Sequence, residues 1–441
     1  MLLFDELNIS KPLLNALADL DFFTPTPIQE KAFPIIMSGA DVVGIAQTGT
    51  GKTFAYLLPI LRQLKFSDSK HPRVLIIVPT RELVKQVVDE IGKLTRYMNV
   101  RFAGVYGGAN INTQKQLVYD GLDILVGTPG RLIDLTLTGT LRLKSIQKLV
   151  IDEVDEMLNQ GFLKPITHFF ENLPEKRQNL MFSATLTEEV EALIQSTFYK
   201  PVKIEIAPHG TPLEQIVQKA YAAPNFNTKA NLLTHLLEED KNIEKALIFV
   251  DSKKLADRLF EQIKSDFPEQ IGVIHSNKSQ NFRFRMLKEF EENKLKVLVA
   301  TDLVSRGIDI SEVTHVVNFD MPKVSADYIH RIGRTGRADK PGTAVSFINE
   351  AELDYQKEIE DLMKMKIPML EFPESVEVST LFTDDELPKH KMKNYHRMPK
   401  ETGQGAFHEK SEKNRQVNSG SPSQKRKKHK KPIKRSARKK I

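Results

Sequence analysis

Short apolar runs alternate with amphipathic stretches along two separate parts of the chain. In the first part the apolar runs lie at 42–45, 74–79, 124–129, 149–153 and 179–185. In the second part they lie at 246–250, 271–275, 296–301, 314–319 and 343–348. Unbroken apolar runs separated by helical patterns are typical of parallel strands that are covered by helices on both faces. The pattern therefore predicts an α/β fold with two parallel-sheet domains in tandem.

Proline, glycine and polar residues indicate where these domains begin and end. We predict a first domain at 1–206, a linker with the sequence APHGTP at 207–212 and a second domain at 213–370. Residues 371–400 are punctuated by proline and are predicted to form an extension packed on the second domain. Residues 401–441 have too few apolar groups to offset the entropy lost on ordering, so we predict a disordered tail. The cleft between the domains is the predicted ligand site.

Composition narrows the class of protein. The 441 residues contain no cysteine, which excludes a disulfide framework and cysteine-bound metal. No apolar run approaches the roughly 20 residues that span a bilayer, and the N-terminus lacks the positive charge of a signal peptide. We therefore expect a cytoplasmic protein that does not bind membranes, and a monomer. The net charge is +7, but Lys425–Lys440 holds eleven Lys or Arg residues, which leaves −4 on residues 1–424.

A glycine-spaced loop that ends in Lys-Thr is the strongest chemical signal. It follows the apolar run 42–45, precedes a helical pattern, and comprises Ala46, Gln47, Thr48, Gly49, Thr50, Gly51, Lys52 and Thr53. Backbone amides at the start of a helix cradle phosphate groups. Lys52 is predicted to bind the β- and γ-phosphates of a nucleoside triphosphate, and Thr53 is predicted to hold Mg²⁺. The alternative is an incidental turn rich in glycine and threonine.

Carboxylates follow the buried run at 149–151. The sequence there is Asp152, Glu153, Val154 and Asp155. Asp152 is predicted to hold Mg²⁺, and Glu153 is predicted to orient and deprotonate the water that attacks the γ-phosphate. Taken alone, this tetrapeptide would also suit a solvated acidic turn.

The second domain contributes a loop rich in arginine and glycine, HRIGRTGRA at 330–338. Arg334 and Arg337 are predicted to stabilise the charge that develops on the γ-phosphoryl oxygens, as arginine fingers do. Because they lie in the other domain, hydrolysis would require the cleft to close. Without the motifs of the first domain, a basic surface loop that binds any anion would explain this sequence as well.

In type and order, these motifs resemble the DEAD-box RNA helicases of helicase superfamily 2 over roughly residues 4–350. The resemblance implies two RecA-like domains, ATP and Mg²⁺ as cofactors and RNA as partner, and the short basic tail resembles that of bacterial members. DFFTPTPIQ at 21–29 is similar to the family's adenine-reading motif, with Phe4 at the position of its upstream aromatic residue. The amide of Gln29 can bond to an adenine edge, and Phe22 or Phe4 can pack on the ring.

The resemblance also implies sites for the ribose and for RNA. Gly307 and Asp309 are similar to residues that bind the nucleotide, Asp309 through its ribose. The implied contacts to the RNA backbone are Pro79, Thr80, Arg81, Gly107, Gly108, Thr128, Arg131, Gln280, Arg283 and Thr301. Hydroxyls, guanidinium groups and exposed amides bind phosphate and sugar without reading bases. Ser183, Thr185, His330 and Arg331 lie at positions that link the ATP state to RNA.

Three departures from the family pattern remove no charge or donor that the chemistry uses. Val154 replaces an alanine, Asp21 stands where glycine is usual, and Val304-Ser305 replaces two alanines. We therefore predict an ATP-dependent RNA helicase that unwinds short duplexes locally or remodels RNA–protein complexes.

Two other functions fit the same motifs. One is an ATP-gated RNA clamp with little strand separation, and the other is a DNA-directed helicase, which the adenine-reading motif and the DEVD sequence disfavour. The basic tail is expected to add salt-sensitive, sequence-independent RNA binding, or else to serve only solubility. Ribosomal precursors and the RNA-decay machinery are both compatible partners.

Overall fold

The computed structural model describes residues 2–46, 49–206, 216–302, 313–336, 342–383 and 386. These residues form two seven-stranded sheets, and every strand pairing is parallel. Helices lie between successive strands of both sheets, except between β11 and β12, where 303–312 lie outside the described residues. The predicted α/β class with two parallel-sheet domains is therefore confirmed. None of the helices in these ranges is long and apolar enough to cross a membrane.

The first sheet has the strand order β3-β4-β2-β5-β6-β1-β7. Its strands are β1 (Val42–Ile45), β2 (Val74–Ile77), β3 (Phe102–Val105), β4 (Ile124–Gly127), β5 (Lys148–Ile151), β6 (Gln178–Ser183) and β7 (Val202–Glu205). The helices are α1 (Lys11–Ala18), α2 (Pro27–Ser38), α3 (Lys52–Gln63), α4 (Arg81–Leu94), α5 (Ile111–Asp120), α6 (Pro129–Leu137), α7 (Val154–Asn159), α8 (Leu163–Asn172) and α9 (Glu188–Thr197). Short 3₁₀ turns lie at Phe4–Glu6 and Leu143–Ser145.

The second sheet has the strand order β10-β11-β9-β12-β13-β8-β14. Its strands are β8 (Ile216–Ala222), β9 (Ala246–Phe249), β10 (Ile271–Ile274), β11 (Val297–Ala300), β12 (His315–Asn318), β13 (Gly342–Ile348) and β14 (Met369–Leu370). The helices are α10 (Phe226–Glu239), α11 (Lys253–Ile263), α12 (Gln280–Glu291), α13 (Ser325–Ile332) and α14 (Leu353–Met363), with a 3₁₀ turn at Glu350–Glu352.

Alternation along the strands places an apolar core on both faces of each sheet. In β5, Val150 packs into one apolar cluster while Leu149 and Ile151 pack into another. Helices α1–α4 supply the first cluster and α5–α9 supply the second. A central strand that is buried on both faces needs apolar residues at every position, which explains why the runs predicted these strands.

Four strands at or next to a sheet edge, β3, β7, β8 and β14, were not predicted, whereas the edge strand β10 was. Only one side chain of β7 is buried, and β8 alternates between buried and more exposed residues along IVQKAYA. β3 is half-buried and contains Gly104, where a Cβ would lie 2.7 Å from a methyl of Val84. These strands lack the unbroken apolar run on which the prediction relied.

Residues 371–383 lie along α10. The side-chain amides of Asn225, Asn227 and Asn231 donate to the backbone carbonyls of Ser379, Leu381 and Glu377, respectively. Val376 is buried in the apolar cluster of the second domain. The predicted linker at 207–212 and the predicted tail at 401–441 lie outside the described residues, so the domain boundaries stay predictions.

Candidate active site

A cavity of about 430 Å³ collects residues that lie far apart in the sequence. Among its lining residues are Phe4, Phe22, Gln29, Gly49, Gly51, Lys52, Thr53, Asp152, Glu153 and Arg334. Nine of these precede the second sheet, and Arg334 follows α13. Gln47, Thr48, Gly307, Asp309 and Arg337 lie outside the described residues. The structure therefore brings together most of the described residues that were predicted to bind the nucleotide.

The phosphate loop connects β1 to α3. The amide of Ala46 donates to the carbonyl of Ser183 at 3.0 Å, which extends the pairing of β1 beyond its last residue. Gly49 and Gly51, on either side of Thr50, have φ values of +80° and +86°, a left-handed conformation that favours glycine. A Cβ at Gly51 would lie 2.4 Å from Nε2 of Gln29. The loop therefore requires glycine at this position for both conformation and space.

Gln29 joins the start of α2 to the phosphate loop. Its Oε1 accepts from the amide of Thr26 at 3.0 Å, and its Nε2 donates to the carbonyl of Gly51 at 3.1 Å. A carboxamide oxygen can accept a second hydrogen bond and the nitrogen can donate a second one. Recognition of adenine by Gln29 stays a prediction, and the capacity for it remains.

Lys52 is the first residue of α3, and it is a buried cation. Its side chain is 6 % exposed, and Nζ has no hydrogen-bond partner among the described residues. Burying an ammonium group without hydrogen bonds is costly. A phosphate at this helix N-terminus would supply both charge and acceptors. The site therefore fits an anionic ligand at the position predicted for ATP phosphates.

Asp152 is 3 % exposed and both of its oxygens are held. Oδ2 accepts from the hydroxyl of Tyr56 at 3.0 Å, and Oδ1 accepts from the amide of Glu153 at 3.0 Å. Burial raises the pKa of Asp152, although the charge of Lys52 opposes the shift. Tyr56 was not predicted as a site residue. The signal for it is a phenol within the otherwise apolar stretch that follows Thr53.

Glu153 is the residue before α7, and its φ of +53° is rare for a residue with a side chain. Burial, with help from Asp152, raises its pKa to about 7, against the opposing charges of Lys52 and Arg334. A carboxylate with a pKa near neutrality is suited to general-base chemistry. The environment of Glu153 therefore fits the role that the sequence predicted.

Val154 points away from this chemistry. Its side chain is fully buried in the apolar cluster that contains Met157 and Val190, and it is not among the described residues that line the cavity. The added bulk relative to alanine therefore lies in the core, whereas the carboxylates on either side of it in the sequence lie at the site.

Asp155, which follows Val154 in the chain, contacts residues of both domains. Its Oδ2 accepts from the amides of Ala184 and Thr185 at 3.1 and 2.9 Å and from the hydroxyl of Thr185 at 2.9 Å. Nε2 of His330, in the second domain, lies 4.0 Å from the same oxygen. Burial favours a higher pKa, but His330, Lys52 and Thr185 together hold the pKa of Asp155 below its usual value. The hydroxyl of Ser183 donates to the carbonyl of Thr185 at 2.7 Å.

Arg331 and Arg334 have different surroundings. Arg331 is 2 % exposed, donates to both carboxylate oxygens of Asp302 at 2.6 Å and donates to the carbonyl of Asp320 at 2.6 Å. It therefore holds together loops of the second domain. Arg334 is 4 % exposed, lines the cavity and acts electrostatically on Glu153.

The predicted RNA-binding residues of the first domain adjoin one another. Thr80 caps α4 by accepting from the amide of Leu83 at 3.2 Å. A Cβ at Gly108, whose φ is +81°, would lie 2.3 Å from Nη1 of Arg81. The Gly107-Gly108 loop therefore packs closely on this guanidinium. Direct RNA contact stays a prediction for these residues.

Other predicted RNA contacts are buried. Arg131 donates to Oε1 of Gln114 at 2.7 Å and to the carbonyl of Ala109 at 3.1 Å, so it holds the loop that follows Gly108. Pro79 and Thr128 are buried at the ends of strands β2 and β4. Thr301 is buried after β11. For these residues too, a contact to RNA stays a prediction.

Predicted RNA-binding residues of the two domains meet across the cleft. Nε2 of Gln280 donates to Oε1 of Glu82 at 2.9 Å, and Nη1 of Arg283 lies 2.8 Å from the same oxygen. Nη1 of Arg81 donates to Oε1 of Gln280 at 3.4 Å. Glu82 was not predicted as a site residue. Its position beside Arg81 is the only sequence signal for it.

The donor set also fits Mg²⁺. Among the described residues there is no cluster of three or more His, Cys, Asp or Glu side chains that could hold a metal alone. Mg²⁺ at nucleotide sites needs only one or two protein oxygens, because phosphates and water complete its coordination. The hydroxyl of Thr53 and the carboxylate of Asp152, both at the cavity, have the required chemistry.

Comparisons with known proteins identify the family of the chain. The family model described as DEAD/DEAH box helicase matches residues 26–193, and the model described as Helicase conserved C-terminal domain matches residues 228–339. Together they define a two-domain helicase.

Individual relatives narrow this class. The chain is 36 % identical over 377 residues to the ATP-dependent RNA helicase RhlB of Shewanella amazonensis, covering 84 % of this chain and 85 % of that protein. It is 38 % identical over 373 residues to the DEAD-box ATP-dependent RNA helicase CshA of Geobacillus kaustophilus, covering 85 % and 79 %. This chain therefore belongs to the DEAD-box ATP-dependent RNA helicases, which are ATP-hydrolysing enzymes.

Solved structures show the same fold. The structure of S. cerevisiae Dbp5 bound to RNA and ADP BeF3 matches with a TM-score of 0.76 and 28 % identity, over 83 % of this chain and 95 % of that one. Mss116p bound to ssRNA and AMP-PNP matches with a TM-score of 0.75 and 29 % identity, over 85 % and 80 %. The predicted RecA-like fold, the family and the ATP-dependent RNA helicase activity are confirmed.

Proposed function

We propose that the cavity is the ATP-hydrolysis site of this helicase and that both domains must contribute to it. The observation that carries this proposal is that Arg334 lines the same cavity as Lys52 and Glu153. Elements of a single catalytic site thus come from both sides of the cleft. Hydrolysis would then depend on domain closure, which RNA binding across the same cleft would favour.

Each residue at the phosphate end has a separate role. Lys52 binds the β- and γ-phosphates, for which its Nζ, without a hydrogen-bond partner in the part of the chain that the structure describes, is available. Thr53 and Asp152 hold Mg²⁺, which neutralises charge on the phosphate oxygens when bound. Glu153 orients the attacking water and accepts its proton. Arg334 stabilises the charge that develops on the γ-phosphoryl group, and the resemblance assigns the same role to Arg337.

At the base end, Gln29 reads adenine and Phe22 packs on its ring. Phe22 is 50 % exposed and lies nearly perpendicular to the ring of Phe54, at a centroid distance of 5.6 Å, so part of the Phe22 ring is accessible. Phe4 is 3 % exposed and also lines the cavity. Resemblance alone assigns Gly307 and Asp309 to the nucleotide.

RNA binding and its coupling to ATP follow from the contacts across the cleft. Arg81, Gln280 and Arg283 share one interdomain network, so RNA bound near them would favour the closed arrangement. Ser183, Thr185 and His330 surround Asp155, next to the catalytic carboxylates, and would report the nucleotide state to that network. Arg331 supports the coupling by holding loops of the second domain. The similarity to the RNA-bound Dbp5 and Mss116p structures supports RNA as the partner.

Paired variants test the two-domain site. Lys52→Ala should abolish nucleotide binding. Arg334→Ala should keep the RNA-free nucleotide affinity within about threefold and lower RNA-stimulated hydrolysis by at least about a hundredfold, because arginine fingers act on the transition state. Arg334→Lys should recover little, since lysine lacks the planar fork. Arg96→Ala, at an exposed arginine of the first domain, is the control. RNA-stimulated hydrolysis that survives in Arg334→Ala would refute the two-domain site.

Strand separation measured beside ATP-dependent RNA retention distinguishes local unwinding from the alternative of an RNA clamp. An unwinding enzyme releases the displaced strand of a short duplex when ATP is added. A clamp retains RNA in the ATP state and leaves the duplex intact. Matched DNA duplexes test the DNA-directed alternative, which predicts stimulation by DNA.

The basic segment Lys425–Lys440 would add electrostatic affinity for RNA, and its eleven Lys or Arg residues support this proposal. Deleting 401–441 should weaken RNA binding and flatten its salt dependence while sparing the RNA-free ATPase. Unchanged affinity at low salt would leave solubility as the function of the tail. We further propose that the enzyme acts in the cytoplasm as a monomer, on ribosomal precursors or with the RNA-decay machinery.

A further inference from the structure

Tyr56 places a hydroxyl at the metal end of the proposed ATP site. It lies in the second turn of α3 and is fully buried. Its Oη donates to Oδ2 of Asp152 at 3.0 Å, across 96 residues of sequence. Its ring packs against Phe182 with a centroid distance of 5.3 Å. The ring therefore has a packing role, and the hydroxyl has a separate polar contact.

Burial and Asp152 raise the pKa of Tyr56, and a side-chain hydrogen bond with Thr53 opposes this rise. Residues three apart on a helix lie on one face, which brings Thr53 and Tyr56 together on α3. Because the phenol donates its one proton to Asp152, it accepts the proton of Thr53. The lone pairs of the Thr53 oxygen then remain available to a cation. Tyr56 thus connects the two side chains to which the proposed function assigns Mg²⁺.

Asp152 is oriented from both sides. The amide of Glu153 fixes Oδ1 at 3.0 Å, while Tyr56 fixes Oδ2. Mg²⁺ requires nearly ideal octahedral geometry, so its ligands must be held in a narrow range of orientations. Outer residues that orient metal ligands affect metal affinity by roughly 10–100-fold when removed.

We propose that Tyr56 is a positioning residue for Mg²⁺ binding, whose hydroxyl holds Thr53 and Asp152 in the orientation that the cation requires. The inference rests on the proposed function, because it takes Thr53 and Asp152 as the metal-holding side chains. Tyr56→Phe removes one oxygen and keeps the ring that packs on Phe182. The variant therefore separates positioning from packing.

The test measures how strongly Mg²⁺ enhances nucleotide binding. A fluorescent ADP analogue is titrated into the full-length protein with Mg²⁺ and again with a chelator, and the ratio of the two dissociation constants is the Mg²⁺ enhancement. Tyr56→Phe should lower this ratio by roughly tenfold. In the chelator, the nucleotide affinity of the variant should stay within about twofold of that of the original protein. The substitution changes neither Lys52 nor the residues proposed to contact the base.

Tyr328→Phe is the matched control. Tyr328 is a fully buried tyrosine of the second domain whose hydroxyl donates to Oε1 of Gln218 at 2.9 Å. Loss of the Tyr328 hydroxyl should lower the melting temperature about as much as Tyr56→Phe does, without changing the Mg²⁺ enhancement. A lower enhancement in both variants would indicate general destabilisation and would overturn the proposal.

Asp152→Asn distinguishes failure of this inference from failure of the proposed function. If Asp152→Asn lowers the Mg²⁺ enhancement and Tyr56→Phe does not, Tyr56 has no positioning role and the metal assignment stands. If neither variant changes the enhancement, the assignment of Mg²⁺ to Asp152 is wrong and the inference falls with it. An equal loss of affinity by Tyr56→Phe with and without Mg²⁺ would also overturn the proposal.

Discussion

Val154→Ala tests whether the valine of the DEVD sequence affects the core or the chemistry. The valine stands where the family usually has alanine, between carboxylates that line or adjoin the cavity. Its side chain, however, is fully buried in the apolar cluster on the α7 face of the first sheet. Truncation should therefore destabilise the first domain and leave hydrolysis nearly unchanged.

The magnitude follows from the atoms removed. Two buried carbon groups are lost, and each is worth about 0.8 kcal/mol of transfer free energy. Incomplete collapse of the resulting cavity adds to this loss, so we expect the free energy of unfolding of the domain to fall by about 2–3 kcal/mol. For a domain of this size, the corresponding decrease in melting temperature is roughly 5–10 °C.

Scanning calorimetry and steady-state ATPase assays at 25 °C, with saturating ATP and RNA, measure the two effects on the same preparation. Val190→Ala is the matched control, because Val190 is a fully buried valine of the same cluster, on α9. Both variants should lose similar stability and keep kcat within about twofold, since no group that contacts the substrate changes. A change in kcat above fivefold in Val154→Ala alone, without loss of stability, would refute the reasoning.

Three further predictions concern other parts of the enzyme. Asp21 has a φ of +58°, a left-handed conformation that glycine adopts more readily than aspartate. Asp21→Gly should therefore raise the free energy of unfolding by about 0.5–1 kcal/mol in thermal melts. A decrease in the free energy of unfolding would contradict this explanation. Burial raises the pKa of Glu153 to about 7. Well below this pH, kcat/KM for ATP should fall about tenfold per pH unit because the base becomes protonated, and above it kcat/KM should level off. A flat pH profile would exclude Glu153 as the base. Nζ of Lys85 lies 4.6 Å from the ring centroid of Phe284 across the cleft, so Phe284→Ala should raise the RNA concentration for half-maximal ATPase stimulation about two- to fivefold without changing RNA-free ATP affinity. Phe282→Ala is the control for this last change, because the cations near Phe282, Lys278 and Arg285, belong to its own domain.

The residue types at the phosphate end were predictable because phosphoryl transfer requires them. A buried cation, a metal-holding carboxylate, a base and an arginine are recognisable when their order in the chain is right. Lys52, Asp152, Glu153 and Arg334 accordingly line one cavity. Local sequence and chemical need were sufficient to select residues that converge on one cavity, and their individual roles stay predictions.

The supporting contacts were not predictable, because they depend on partners far away in the sequence. Tyr56 reaches Asp152 across 96 residues, and Gln280 reaches Glu82 across 198. The periodicity of apolar residues along the chain gives no information about such pairs. Similarly, the sequence cannot tell whether a guanidinium binds RNA or the protein itself, and the guanidinium of Arg131 holds a loop of its own domain.

The most direct test of RNA-coupled hydrolysis at a two-domain site is the steady-state ATPase rate without nucleic acid, with RNA and with DNA of matched sequence. Glu153→Gln is the control, because it removes the proposed base and keeps the shape of the side chain. We expect strong stimulation by RNA alone, lost in the variant. Equal rates in all three conditions would show that hydrolysis does not depend on RNA-driven closure and would contradict RNA-coupled hydrolysis at a two-domain site.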